Sequence, residues 1–305
     1  MQRANKTPEA RDLRSGYSLV ELMVSVAVMA LVTTLLLQSF SRQHTASVGQ
    51  ERLVETQEEA RVLVDLIVSD IRMAGFMLPA FAAIGSNDGG TSDADIVCMS
   101  DASVIDEATL PSASSRFTGA SLASGFSGSV STVSVNAADR DIDADGDDDF
   151  TVGGGILIGT GSRVHCAVVR SLSSSAITFS PATPSAFSAT SDDVVVPAVV
   201  YRLNGTTLTR NSTVLSDRIE DLQIQYGVDA DSNGTVEGAE FPIDDLTGQD
   251  FDLIETAQVS LTARDPRPTE RFAGRLPAAA NRVGGAADNF KRRRVIGDAL
   301  LRNLQ

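Results

Sequence analysis

Residues 14–40 read "RSGYSLVELMVSVAVMALVTTLLLQSF". From Leu22 to Leu37 there are 16 consecutive residues without a charge. Counting back to Tyr17 gives 21 residues, interrupted only by Glu21. At ~1.5 Å per helical residue such a segment rises roughly 30 Å, about the thickness of a hydrocarbon core. A carboxylate inside it costs about 2.5–3.5 kcal/mol on insertion scales, so Glu21 needs a reason other than accident.

Upstream, residues 1–16 hold Arg3, Lys6, Arg11 and Arg14 against Glu9 and Asp12, a net charge of +2. A positive leader before an apolar run places the leader in the cytoplasm. An ordinary secretory signal is cut after its apolar region. Here the small residue, Gly16, precedes that region, so a cut there leaves the hydrophobic segment on the mature chain. This arrangement resembles the class III signal of type IV prepilins. The resemblance implies that a prepilin peptidase cuts after Gly16 and that the new N-terminal amine, on Tyr17, is methylated. It also implies that Glu21, fifth after the cut, pairs with such an amine during assembly. The family's usual first residue is Phe; Tyr17 departs from it but stays aromatic. The plainer alternative is a single-pass anchor carrying a stray glutamate.

The next stretch, "QERLVETQEEARVLVDLIVSDIRMAGF" (residues 50–76), is polar but periodic. Leu53, Val54, Ala60, Leu63, Val64, Ile67, Val68 and Ile71 recur at three- and four-residue steps, which predicts an amphipathic helix. Gly75 and Pro79 supply the stop. No proline interrupts residues 17–76, so one helix is expected there, with Gly49 as its softest point. Its first half is apolar all round and suits a membrane or filament core. Its second half presents one stripe to a globular head.

Residues 80–130 are rich in Ser, Gly, Ala and Asp and predict loops with short strands such as "DADIVCMS". After them come β-like runs: "STVSVN", "GGILIG", "RVHCAVVR", "AITF", "DDVVVPAVVYRL", "TTLTR", "IEDLQIQYGV" and "DLIETAQVSLTAR". Asn204-Gly205 reads as a two-residue hairpin turn. Strands following one long helix, without βα alternation, predict an α+β protein with an antiparallel sheet.

"DLIVSDIRMAGF", "IEDLQIQYGVD" with "AQVSLTARDPRP", and the ending "FKRRRVIGDALLRNLQ" with its Arg302-Asn303 pair are similar to PilW-type minor pilins. The similarity is strongest over residues 16–76, weaker over 217–263 and slight over 80–200. It implies a type IV pilin-like fold: a cleaved leader (1–16), a long N-terminal helix (17–76), and a periplasmic antiparallel β-sheet head with long loops (77–305). It further implies a structural subunit, not an enzyme, that primes type IV pilus assembly. Its partners would be other minor pilins, the major pilin, prepilin peptidase and the inner-membrane assembly machinery. The chain would sit single-pass in the inner membrane before passing to the pilus or cell surface, with a part in twitching motility. A J-like minor pseudopilin of type II secretion and a pilus-tip adhesin stand as alternatives.

"DADSNGTVEGAE", residues 229–240, matches the twelve-residue pattern of an EF-hand calcium loop. Calcium requires six to eight oxygens. Asp229, Asp231 and Asn233 would give side-chain oxygens, Thr235 its carbonyl, Glu237 a direct or water-mediated contact, and Glu240 a bidentate closure. Gly234 would allow the sharp turn. The flanks read as strands, so the loop would staple structure instead of opening a helix pair; a solvated acidic turn is the alternative. A second run, "DRDIDADGDDDF", offers Asp141, Asp143, Asp145, Asp147 and Asp149, but Val152 stands where the closing carboxylate belongs. Calcium and a solvated acidic loop both remain open there.

Cys98 and Cys166 permit one disulfide, favoured outside the cytoplasm, with two buried thiols as the alternative. His44 and His165 show no ligand spacing that would make zinc with them. The chain's 305 residues carry a net charge of −15 and 5% aromatics without Trp. That charge excludes a general nucleic-acid binder. Lys291 to Arg294 form the only strong basic run and read as a strand edge or solvated face. No phosphate loop, Gly-x-Ser-x-Gly element or paired-His motif is present.

Overall fold

The computed structural model describes residues 18–75, 82–101, 120–136, 140–142, 146, 148–161, 163–269 and 272–301, and the statements below concern these. Gly16, Tyr17, Asp143, Asp145, Asp147, Arg302 and Asn303 lie outside them.

One 55-residue helix, α1 (Leu19–Met73), runs through the predicted span, including Gly49. It stops at Gly75, whose φ of +80° lies in the left-handed region that glycine enters without a Cβ penalty. Ser100 Oγ accepts the Gly75 N–H at 2.8 Å and closes the end. By packing, the chain divides at Arg52/Leu53 into two units, described separately.

In the first unit, α1 is exposed from Leu19 to Val48, and its large apolar side chains reach 76% exposure at Leu19. In the second unit, the helix buries Thr56, Ala60, Leu63, Val64, Ile67, Val68 and Ile71. Two readings of the stripe change: Val54 is 54% exposed, and Thr56, one turn before Ala60, is buried in its place. The register of the stripe is set by Ala60 onward, and Val54 falls off that face.

Seventeen strands follow. They begin with β1 (Ile84–Asn87), β2 (Ile96–Ser100), β3 (Ala120–Ser121), β4 (Phe126–Ser127) and β5 (Thr132–Ser134). The middle of the head holds β6 (Gly155–Gly159), β7 (Val164–Leu172), β8 (Ala176–Ser180), β9 (Ser188–Ala189) and β10 (Val194–Asn204). Next come β11 (Thr207–Arg210), β12 (Thr213–Ser216), β13 (Ile219–Val228) and β14 (Ile254–Arg264). The last three are β15 (Gly274–Arg275), β16 (Ala287–Asp288) and β17 (Arg292–Leu300). All the strand pairs among the described residues are antiparallel, which completes the α+β architecture expected of a pilin-like chain.

The larger sheet has the order β1-β2-β10-β6-β7-β8-β5 and rolls up on itself. A Cβ on Gly85 of β1 would lie 2.9 Å from Leu157 Cδ2 and 3.0 Å from Val164 Cγ1, so β1 presses on β6 and β7. Asn87 Nδ2 donates to the Cys166 carbonyl, and a Cys98–Cys166 disulfide joins β2 to β7 with their Cα atoms 5.6 Å apart. Inside this roll lie Leu157, Val168, Val196, Ala198 and Val200. Pro197 is tolerated in central β10 because its nitrogen points past the end of β2, where Asp101 donates to the Pro197 carbonyl at 3.0 Å. The hairpin register differs from expectation by one residue. Asn204 pairs with Thr207, so the two-residue loop is Gly205-Thr206, with Gly205 at φ +64°.

The smaller sheet, β13-β14-β17, takes the buried face of α1. Leu222, Ile224 and Tyr226 of β13 and Ala257, Val259 and Leu261 of β14 form its inner surface. Gly297 of β17 sits directly under the helix: a Cβ there would lie 2.4 Å from Val64 Cγ1 and 3.1 Å from Val68 Cγ2. Asp70 then ties α1 to the larger sheet. Its Oδ2 accepts from Tyr201 Oη at 2.7 Å and Arg210 Nε at 2.8 Å. Arg218 adds contacts to Glu55 and Glu59 at 3.3 and 3.5 Å.

Gly297→Ala is expected to destabilise the 53–305 portion by about 1–3 kcal/mol through overpacking. Val64→Ala should recover part of that loss in the double variant. Urea unfolding checks both; an unaltered midpoint for Gly297→Ala would show that the helix stands farther from β17.

Candidate functional site

The first candidate is the apolar half of α1. Glu21 lies in its first turn, where unpaired backbone N–H groups favour a negative charge. The hydroxyls along this stretch turn back on the helix. Ser25 Oγ donates to the Glu21 carbonyl at 2.7 Å, Thr33 Oγ1 to Met29 at 2.8 Å and Thr34 Oγ1 to Ala30 at 2.8 Å. These three hydroxyls are thereby satisfied within their own helix, which is what a lipid or apolar protein environment demands. Among the described residues this is the one helix long and apolar enough to cross a membrane.

The second candidate is the loop after β13. Asp229 is 4% exposed, and its carboxylate accepts the N–H groups of Asn233 at 3.0 Å and Gly234 at 2.7 Å. Asn233 Nδ2 donates to Asp231 Oδ2 at 3.0 Å, and Asn233 Oδ1 accepts from the Thr235 N–H at 2.8 Å. Glu240 turns back over the loop and accepts from Asp231 N–H at 3.3 Å and Glu237 N–H at 3.0 Å. One carboxylate oxygen each from Asp229, Asp231 and Glu240 lies within 4.8 Å of the others. Gly234 has φ +82°, the left-handed turn the sequence asks of it. Val236 faces inward against Gly227 of β13. The donor set is hard oxygen, and a carboxylate has about four lone-pair sites, so the backbone bonds leave capacity for a cation. Thr235 and Glu237 lie on the same loop, but only the three carboxylates are seen to converge.

The other acidic run is arranged differently. Arg140, with a side chain 10% exposed, reaches Asp148 at 3.2 Å. Asp141 Oδ2 accepts from the Gly146 N–H at 3.0 Å, and Asp149 Oδ2 from the Ile142 N–H at 2.7 Å. An in-chain guanidinium thus offsets part of the aspartate repulsion.

Two members of the basic run are likewise engaged. Arg292 holds Glu220 at 2.5 and 2.9 Å and Asp288 at 2.5 and 2.7 Å, and this pairing pulls the Asp288 carboxyl down to about 2. Lys291 Nζ lies 5.9 Å from the Phe272 ring centroid. His165 is buried, its Nε2 3.1 Å from the Pro181 carbonyl, and burial lowers its pKa; among the described residues no zinc set forms around it or the bonded cysteines.

Sequence reading missed the Asp70–Tyr201–Arg210 tie, the Glu220–Arg292–Asp288 cluster, and buried Asp95. Each includes a partner far away in the chain, and no local pattern marks it. Asp95 is 3% exposed; its two oxygens accept the Gly89 N–H at 2.9 Å and the Ile224 N–H at 2.8 Å, pinning the 88–94 loop onto β13. Burial pushes its carboxyl up to about 7; the two N–H bonds oppose this, and Asp88 and Asp221 reinforce it.

Residues 11–37 match the family described as the prokaryotic N-terminal methylation motif. No curated protein and no solved structure matches the chain. The match covers the residues just ahead of α1 and most of its apolar half, the segment that holds Gly16, Tyr17 and Glu21. With the antiparallel head behind it, this supports a type IV pilin-like protein, and the class III signal with one apolar helix fits single-pass anchoring in the inner membrane.

Because the folded carboxyl of Asp95 titrates at about 7 and the free one at 3.8, the folded state holds that proton more tightly. Stability from this group therefore grows as pH falls through 7 toward 4 and is absent above 7. Asp95→Asn removes the titration. The melting temperature of the 53–305 portion, minus that of the variant, should widen from pH 8 to pH 5; a constant gap would place the Asp95 pKa near its ordinary value.

Proposed function

We propose that this protein is a PilW-type minor pilin, a structural subunit that helps prime type IV pilus assembly together with other minor pilins. The observation that carries this reading is the methylation-motif match over residues 11–37, joined to a helix that is apolar all round and then one-sided. Prepilin peptidase cuts after Gly16, the apolar half of α1 holds the chain in the inner membrane, and the head faces the periplasm. Glu21 is carried in lipid until the pilus machinery draws the helix into a filament. There the amine freed at Tyr17, of the same or a neighbouring subunit, pairs with it. A buried charge is tolerable only when it is partnered, which makes the pair a condition for leaving the membrane.

Calcium belongs to the same proposal. Asp229, Asp231 and Glu240 would hold it, with Asn233, Thr235 and Glu237 completing the oxygen shell. It would fasten the loop between β13 and β14, while the sheet residues themselves set the fold. The Arg140-containing loop has a counter-charge of its own, and its Asp143, Asp145 and Asp147 lie outside the described residues.

Glu21→Ala should be cut and membrane-inserted normally yet leave cells with few pili, scored by immunoblot for cleavage and electron microscopy for filaments. Normal piliation would overturn the assembly role. If deleting the gene stops exoprotein release while pili persist, the protein belongs to a type II secretion machine as a J-like pseudopilin. Calcium at 100 times its Kd should stabilise the 53–305 portion by about 2.7 kcal/mol. Asp229→Ala with Glu240→Ala should erase that gain, and a melt unchanged by calcium would remove the ion from the proposal.

A further inference from the structure

β17 is an edge strand, with β14 on one side and no strand on the other among the described residues. The backbone direction of each residue follows from the bonds just beyond the ladder. Leu301 N–H donates to Glu255 and Asp265 N–H donates to Lys291, both in the register that pairs Thr256 with Leu300. Antiparallel partners alternate between bonded and non-bonded pairs. Odd-numbered residues of β17 therefore bond β14, and Arg294, Ile296, Asp298 and Leu300 send their N–H and C=O groups outward. Their side chains share one face, opposite Gly297 and the helix. All four are exposed, Ile296 at 50% and Leu300 at 51%. Arg294 Nη2 donates to the Ala278 carbonyl, which uses one of the guanidinium's five N–H donors.

Natural proteins use charged side chains, bulges, proline or a covering element to keep such an edge from pairing. Here the charges are opposite and placed symmetrically: Arg294 lies two residues before Ile296, and Asp298 two residues after. We propose that this edge is a docking surface for a second copy of the chain, β17 pairing antiparallel with β17 about a two-fold axis at Ile296. In that register each Arg294 stands opposite the other copy's Asp298, and Ile296 stands opposite Ile296. All three pairs join residues whose backbone groups already face outward.

Moving the axis to Arg294 or Asp298 sets like charges against each other. Moving it to Val295 or Gly297 leaves Ile296 opposite a charge. Only the Ile296 register satisfies charge, apolar contact and backbone direction together. Arg292 is not needed, being held by Glu220 and Asp288. The outward Asp298 carbonyl has one long contact, from Arg72 Nη2 at 3.4 Å, which a strand N–H at ~2.9 Å would replace. Gln258 Nε2 already orients the Asp298 carboxylate at 2.9 Å. This pairing does not depend on the pilin reading, since it uses only the head.

Residues of the core all lie between Thr56 and Leu301, so the 53–305 portion carries its own core and can be tested alone. Ile296→Cys places two thiols across a bonded pair about 5.5 Å apart at Cα, within disulfide reach. Mild oxidation should convert this variant to a covalent dimer, both as the isolated portion and as the full chain in membranes. Asp298→Cys, facing Arg294, should not cross-link. Arg294→Asp should weaken dimerisation about tenfold or more in sedimentation equilibrium, and adding Asp298→Arg should restore it. A portion that stays monomeric up to about 100 μM would overturn the proposal, as that is weaker than an interface of this kind warrants. Equal cross-linking at positions 296 and 298 would overturn the register.

Discussion

Val64 and Val68 rest on the backbone of Gly297, and the head is built around that contact. It lets α1 lie close enough to the β13-β14-β17 sheet for Leu63, Ile67 and Ile71 to reach the same core as Leu222, Val259 and Tyr226. Burying each such side chain is worth about 1.5–3 kcal/mol, so the seam supplies a large share of what holds the helix down. Asp70 depends on it too. Its carboxylate meets Tyr201 and Arg210 only because the helix is already seated, and burial with the Asp70 charge raises the Tyr201 pKa.

Much of this was legible in the sequence, for physical reasons that differ by element. The helix declared itself twice, by an uncharged run and then by a stripe at 3.6-residue spacing; Gly75 marked its end. The strands of the head were visible because β-branched runs alternate with turn residues. β1, β12 and the two-residue strands β3, β4, β9, β15 and β16 were not, being at most four residues long. The turn at Gly205 was recognised but shifted by one residue, because Asn204 and Gly205 satisfy the same dipeptide signal whichever of them opens the loop. Val54 looked like core because it continues an apolar pattern; Thr56 took its place because position along the face outweighs side-chain polarity.

The candidate sites divide the same way. The loop at 229–240 was readable because calcium-type spacing is local, twelve residues with a glycine at a fixed place. Asp95, Asp70 and Arg292 were invisible because each needs a partner more than fifty residues away: Ile224, Tyr201 with Arg210, and Glu220. The acidic composition was also misleading by itself. A net charge of −15 suggests repulsion throughout, yet Arg140, Arg210, Arg218, Arg282 and Arg292 each sit against a carboxylate. Arginine suits that work, since its planar fork keeps its charge and meets two oxygens at once.

The Cys98–Cys166 bond has a mechanical meaning. A load carried along α1 enters the rest of the head through its seam on β13, β14 and β17. Where that seam yields, the load enters through the chain leading to β1 and β2, the first strands after the helix. Those are outer strands of the rolled sheet, which hydrogen bonds alone would let peel away under tension. With β2 tied covalently to β7, the pull passes into the middle of the roll and is shared by β10, β6 and β7 together. The disulfide is thus placed to act as a stop against unravelling from the end at which this protein would be tugged.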